Sequence, residues 1–313
     1  AIEAGRVRAD GRVVAFTGRA NPYLSPAPGG YLPPKYLNSP TTDVFRKAEL
    51  PYGLTPAAIQ ALADGADLAI CEGPMDAEAI NAAAGGRIVA VAPLGTALTA
   101  EQLDTLSRIA PLDQRHVISA FDNDAAGRAA AARAYPLLAA AGAANTTTLT
   151  LPTGTDPADV LHRQGATALT SALTTPGPPL VDLAVDHETN LDQKQLHSSS
   201  ERAHAAATAT RWVADNIPDV DQAHRQIQRV ANTLDQDLIE LVIQYAARAE
   251  HHQPPTGSPR QRPMTLVADD PLRLPQPPTL SASARQILGE RTHRRRDLPA
   301  SLASIQPAGP VLR

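Results

Sequence analysis

From Asp67 onward, short apolar runs alternate with alanine-rich stretches whose apolar positions recur every three or four residues. Brief apolar runs bounded by turn residues read as buried strands, and the longer period reads as helix. Strands fall at about 67–72, 87–92, 116–121 and 146–151, and helices at about 75–84, 99–109, 125–141 and 157–164. Such alternation predicts an α/β fold, a mostly parallel sheet with helices on both faces. Ahead of it, residues 1–65 are turn-rich, with Asp10-Gly11 between two strand-like runs as a hairpin signal and a helix over Pro56 to Asp64. After Pro179 only the helical period remains, at about 180–188, 200–216, 219–234 and 237–250, with Ser199, Asp219 and Asp235 as caps. Ile227, Val230, Leu234, Leu238, Leu241, Val242 and Tyr245 form its apolar stripe, a small helical bundle on or beside the sheet domain. Residues 251–313, rich in Pro, Ser and Arg, carry no sustained period apart from a short helix at Ser281 to Thr292, and read as a disordered tail. The expected organisation is therefore a small basic α+β subdomain (1–65), a parallel-sheet domain (66–178), a helical region (179–250) and the tail.

The chemistry sits at two strand ends. Cys71-Glu72-Gly73-Pro74-Met75-Asp76 follows the first strand, and Phe121-Asp122-Asn123-Asp124 follows the third. In an open α/β sheet the carboxyl ends of neighbouring parallel strands meet in one crevice, which would bring Glu72, Asp122 and Asp124 together. Three close carboxylates raise one another's pKa unless a cation lies among them. Oxygen-only ligands suit Mg²⁺ or Mn²⁺ completed by phosphate oxygens, so these residues are candidates for both metal binding and catalysis. Asp76, one helical turn on, could orient Glu72, reach the metal or pair with Arg128. Asp156 precedes Pro157 and reads equally as a helix cap or as a further ligand, with Asp159 as the alternative.

The Glu-Gly and Asp-x-Asp elements, each at a strand-to-helix junction and in this order, resemble the TOPRIM module of bacterial primases, topoisomerases and some nucleases. Upstream, Gly11 to Arg19, Pro34-Lys35-Tyr36-Leu37-Asn38-Ser39-Pro40, Phe45-Arg46-Lys47 and Tyr52-Gly53-Leu54 resemble the basic half of the DnaG-type primase polymerase domain. The loop from Asn21 to Tyr31 is longer than that family leads one to expect. Leu94-Gly95-Thr96 resembles the primase Leu-Gly-Thr turn, where Thr99 serves equally as the next helix's cap. The resemblance extends to Asp156-Pro157-Ala158-Asp159, with an extra Ala that leaves open which aspartate is the counterpart.

What the resemblance implies is a DNA primase: ribonucleotides joined on single-stranded DNA with Mg²⁺, and a replicative helicase acting in trans. Glu72, Asp122 and Asp124 would be catalytic, with Asp156 or Asp159 adding to the metal shell. Arg19, Lys35, Tyr36, Asn38, Lys47, Gly95 and Thr96 would line the path of template and nucleotide. The residues themselves allow the same half-site, since Arg19, Lys35 and Lys47 can neutralise phosphates while Tyr36 and Asn38 offer stacking or hydrogen bonds. Lys35, Lys47 and Lys194 are the only lysines, in a chain that otherwise uses Arg for positive charge. A TOPRIM nuclease, or a non-catalytic nucleic-acid-binding remnant, is the competing reading.

Composition bounds the rest. The formal charge of -4 does not advertise nucleic-acid binding, although a basic groove can sit beneath an acidic total. Cys71 is the single cysteine, which excludes disulfides and a cysteine zinc site within these residues. No apolar run approaches the roughly 20 residues needed to cross a bilayer, so no membrane partner is expected and the cytoplasm is the default location.

Overall fold

The computed structural model describes residues 2–7, 13–20, 34–95, 97–143, 146–189 and 196–251. The Asp10-Gly11 turn, the 21–31 loop, Thr96 and the tail with its short helix lie outside the described residues.

The first described segments build a three-stranded antiparallel sheet, β1 (Ile2–Val7), β2 (Val13–Arg19) and β3 (Tyr36–Asn38), in the order β1-β2-β3. It is tied to the next layer through Tyr52, which exchanges backbone hydrogen bonds of 2.8 and 3.1 Å with Ala92. Gly53 permits that approach. Its φ is +102°, and a Cβ there would lie 2.5 Å from the carbonyl oxygen of Ala90.

After α1 (Pro56–Ala63) come β4 (Asp67–Cys71), α2 (Pro74–Ala84), β5 (Ile88–Val91), α3 (Ala100–Ile109), β6 (Val117–Ala120), α4 (Ala125–Ala140) and β7 (Thr146–Thr148). The strands form one parallel sheet in the order β5-β4-β6-β7. Each lies within a residue or two of its sequence-predicted position, apart from β7, which ends three residues early. Side chains alternate across the sheet. Leu68 and Ile70 face one layer, and Ala69 and Cys71 the other. The second face is lined by small residues, Ala69, Ala90 and Ala120 among them, which lets α2 lie close with Ala77, Ile80 and Ala84 buried. Each fully buried Leu or Ile contributes about 1.5–3 kcal/mol.

α5 (Pro157–Gln164) and α6 (Ala166–Thr174) finish that face. On the other, α7 (Leu180–Thr189), α8 (Ser199–Asn216), α9 (Val220–Leu234) and α10 (Leu238–His251) follow. One continuous hydrophobic cluster joins Leu68 and Val117 of the sheet to Val185, Val213, Ile227 and Leu241, so the helical region shares the sheet's core. Tyr135 of α4 seals the junction by donating its hydroxyl to Gln222 at 2.7 Å, with Trp212 packed 6.0 Å away.

Three local expectations change. α6 was not foreseen. Ser198, not Ser199, caps α8, in a reciprocal capping box with Glu201. Asp235 is the left-handed C-cap of α9 (φ 51°), and Asp237 accepts the amides that open α10. No helix of the described residues is long and apolar enough to cross a membrane.

Candidate active site

β4 is the first strand of the parallel sheet, and the chain moves to β5 on one side of it and to β6 on the other. Connections that leave in opposite directions open a crevice at the strand carboxyl ends. Glu72 follows β4 directly, and Asp122 stands two residues past β6. The two carboxyl groups are close neighbours, and the charge of Asp122 acts directly on Glu72. They line a cavity of about 420 Å³ together with Lys35, Tyr36, Asp76 and Arg133.

The field in this cavity is acidic and only partly offset. Burial, then the charge of Asp122, pushes the Glu72 carboxyl above its usual range, while Lys35 pulls it down. Burial and Asp156 do the same to Asp122, again with Lys35 opposing. Asp76 is the extreme case. It is buried, faces Asp156 and Asp122, and is pushed up to about 7. Its carboxylate accepts one long 3.4 Å bond from the Ala158 amide, and among the described residues no ion pair joins it to Arg128. Arg128 instead lines a smaller cleft of about 200 Å³ beside Asn123.

The other acids divide by geometry. Asp124 caps α4, accepting from Gly127 N at 2.8 Å, and its charge acts on both Glu72 and Asp122. Asp156 caps α5 at 2.6 Å from the Asp159 amide while its charge acts on Asp76 and Asp122, so the cap and the site are both served. Asp159 turns toward Arg163, 3.5 Å away. Among the described residues no three His, Cys, Asp or Glu side chains converge closely enough to enclose a metal ion by themselves. The donor set nevertheless fits a hard divalent cation that keeps waters and takes phosphate oxygens from a substrate. Asp122 Oδ1 is buried without a hydrogen-bond partner, an acceptor that a cation would satisfy.

On the basic side, Lys35 acts on Glu72, Asp76 and Asp122. Tyr36 is half-buried, with Arg19 and Lys35 each 5.8 Å from its ring centre and its hydroxyl beside Gly73, the residue that opens α2. Asn38 donates to the carbonyl of Leu94 at 3.2 Å, beside Gly95, which takes a φ of +70° at the cavity wall. Tyr36 and Asn38 thus fasten the antiparallel sheet to the parallel one. Lys47 stands apart: its side chain is exposed and outside the cavity lining, and its carbonyl accepts from Gln102. Arg133 was missed by the sequence reading, because an arginine on an alanine-rich helix reads as a solvated charge.

Comparison with known proteins agrees with this arrangement. Residues 7–58 match the family model "DNA primase catalytic core, N-terminal domain", and residues 69–161 match a Toprim-like model. A DNA primase of Synechococcus elongatus is 32% identical over 243 residues, 76% of this chain and 32% of that protein. One from Deinococcus radiodurans is 41% identical over 152 residues, 48% of this chain and 24% of the relative. The chain spans about a third of the length of the first two curated relatives it matches. Among solved structures, a DNA primase domain from Pseudomonas aeruginosa superposes with a TM-score of 0.60 at 29% identity, covering 80% of this chain and 71% of that one. A DnaG primase catalytic domain bound to ssDNA gives 0.60 at 28%, covering 76% and 70%. TOPRIM-containing primases use divalent metal ions as a family. With both halves of the core matched in order, and the fold with them, the chain belongs to the DnaG-type primase family and carries its TOPRIM domain.

Proposed function

We propose that this chain is a DNA primase core that joins ribonucleotides on a single-stranded DNA template. The observation that carries the reading is the meeting of Glu72 and Asp122 at the sheet's switch point, in one cavity with Lys35 of the basic subdomain. A nuclease would use the same acids to hydrolyse phosphodiesters with water, the basic segment gripping a duplex. A templated polymerase needs them beside a cationic nucleotide path fixed in register, which the Tyr36 and Asn38 fastenings provide.

Glu72, Asp122 and Asp124 would hold Mg²⁺ (or Mn²⁺), with Asp156 or Asp159 contributing from the start of α5. When bound, the metal supplies Lewis-acid activation of the attacking 3′-hydroxyl and neutralises charge on the departing pyrophosphate. Glu72, in its ionised form, would accept the proton of that hydroxyl as general base, or serve as a ligand to the metal beside it. Arg19, Lys35 and Lys47 would position phosphates, and Tyr36, Asn38, Gly95 and Thr96 the sugar and base. The template parallels the single strand on the DnaG catalytic domain noted above. A replicative helicase acting in trans would supply that strand, and the cytoplasm is the matching location.

The test is incubation with ribonucleoside triphosphates, Mg²⁺ and single-stranded DNA. Short RNA products are expected, lost in Glu72→Gln and Asp122→Asn by a factor on the order of 10²–10³ or more. Degraded template without synthesis would replace the reading with a nuclease. Products surviving both substitutions would remove the site.

A further inference from the structure

The cavity does not end at the acids. On α4, Ala126, Ala130 and Arg133 are spaced i, i+4 and i+7 and so lie along one face, and all three line the cavity. Seven residues of helix rise about 10 Å, so Arg133 stands about 10 Å along the helix from its acidic mouth. Ala126 and Ala130 are small, which keeps the channel between the acids and Arg133 open. Pro93, Gly95 and Ala97 complete the cavity wall.

Arg133 is exposed and makes no ion pair or hydrogen bond among the described residues. Lys35, by contrast, acts on Glu72, Asp76 and Asp122. The two cations therefore divide the cavity. Lys35 is engaged in offsetting the carboxylates, whereas the guanidinium of Arg133 has its donors uncommitted. A planar fork of donors in a groove suits bidentate recognition of phosphate.

The geometry points to a second anionic subsite, at Arg133, that holds a phosphate group of the ligand about 10 Å from the acids along α4. This rests on the polymerase reading above for its ligand class. The phosphate belongs either to the incoming nucleoside triphosphate or to the backbone of the single-stranded DNA, and binding data separate the two.

The experiment compares wild type, Arg133→Ala, Arg133→Lys and the control Arg87→Ala, whose exposed side chain lies outside the cavity lining. Alanine is favourable on an exposed helix position, so folding is not at risk. Single-stranded DNA affinity is measured by fluorescence anisotropy over a range of salt, and nucleotide affinity by direct titration with ATP. A backbone contact predicts that Arg133→Ala weakens DNA binding about tenfold at low salt and flattens the slope of log affinity against log salt by about 0.7, with Arg133→Lys retaining the slope. A triphosphate contact predicts an ATP affinity loss on the order of tenfold with DNA binding unchanged. If wild type binds both ligands and Arg133→Ala matches it, or if Arg87→Ala loses as much, the subsite is refuted while the primase reading stands. Wild type that binds neither ligand overturns both. Wild type that binds through Arg133 yet makes no RNA sinks the primase reading alone.

Discussion

Gly127 lies so close to the backbone of Asp122 that a Cβ on it would sit 2.0 Å from the Asp122 carbonyl oxygen and 2.9 Å from its nitrogen. The first turn of α4 thus folds back over the residue that carries the central carboxylate, and Asp124 locks it by accepting the Gly127 amide. Any side chain at 127 must push the Asp122 backbone away. Gly127→Ala is expected to cost about 1–3 kcal/mol of stability as local overpacking and to reduce primer synthesis about 10²-fold through displacement of the carboxylate. Thermal unfolding and a primer-synthesis assay check both. Full activity in a folded variant would mean that the Asp122 carboxylate need not stand where it does.

Asp76 couples the site to pH. An aspartate pushed up to about 7 by burial binds its proton more tightly folded than unfolded. Its burial therefore costs nothing below about pH 4, where both states are protonated, and the cost grows as pH rises toward 7 and then levels off. Linkage sets that cost on the order of 4 kcal/mol. Without divalent ions, the wild type should be less stable toward urea at pH 8 than at pH 5, and Asp76→Asn should lose much of that difference. Equal pH dependence in the two proteins would show that Asp76 is ionised at no cost.

The main-chain plan was legible from the apolar pattern, because buried strands and capped helices each leave a local signature. Thr99 and Asp219 act as caps where the sequence places them. Glu72 and Asp122 were found by the rule that strand ends converge. α6 was missed because it follows α5 with only Gly165 between them and shows a single apolar pair, Leu169 and Leu173. The α8 cap was misplaced among three consecutive serines, although Glu201 three residues after Ser198 is the signal that resolves it. What no local pattern carries is tertiary. Asp76 meets α5 across 82 residues of sequence, and Arg133 shares its cavity with Pro93, Gly95 and Ala97.

Tyr36 joins the two sheets by its hydroxyl and meets the basic side chains with its ring, and the two roles separate by substitution. Tyr36→Phe removes the hydroxyl that packs beside Gly73 and should cost about 1 kcal/mol or less, with DNA affinity nearly unchanged. Tyr36→Ala also removes the ring from Arg19 and Lys35, and should weaken single-stranded DNA binding severalfold. Thermal unfolding and anisotropy titrations read the two effects. Equal loss of DNA affinity in both variants would assign the whole effect to the fastening.

Protons and a divalent cation compete for the same oxygens. Glu72 and Asp122 are raised above the usual carboxylate range, and Asp76 is raised to about 7, so at pH 6 a larger share of the site is protonated than exposed acids would be. Binding a cation requires the ionised forms and must release protons. The apparent affinity for Mg²⁺ should therefore be weaker at pH 6 than at pH 8, and the number of protons released per ion should be larger at pH 6. Because the ion binds only the folded state, it should also raise the unfolding temperature with concentration, and more at pH 8 than at pH 6. Asp122→Asn should abolish that rise at both pH values. Calorimetry in buffers of different ionisation enthalpy measures the proton release directly. A Mg²⁺ affinity independent of pH between 6 and 8 would place the ion on carboxylates other than these.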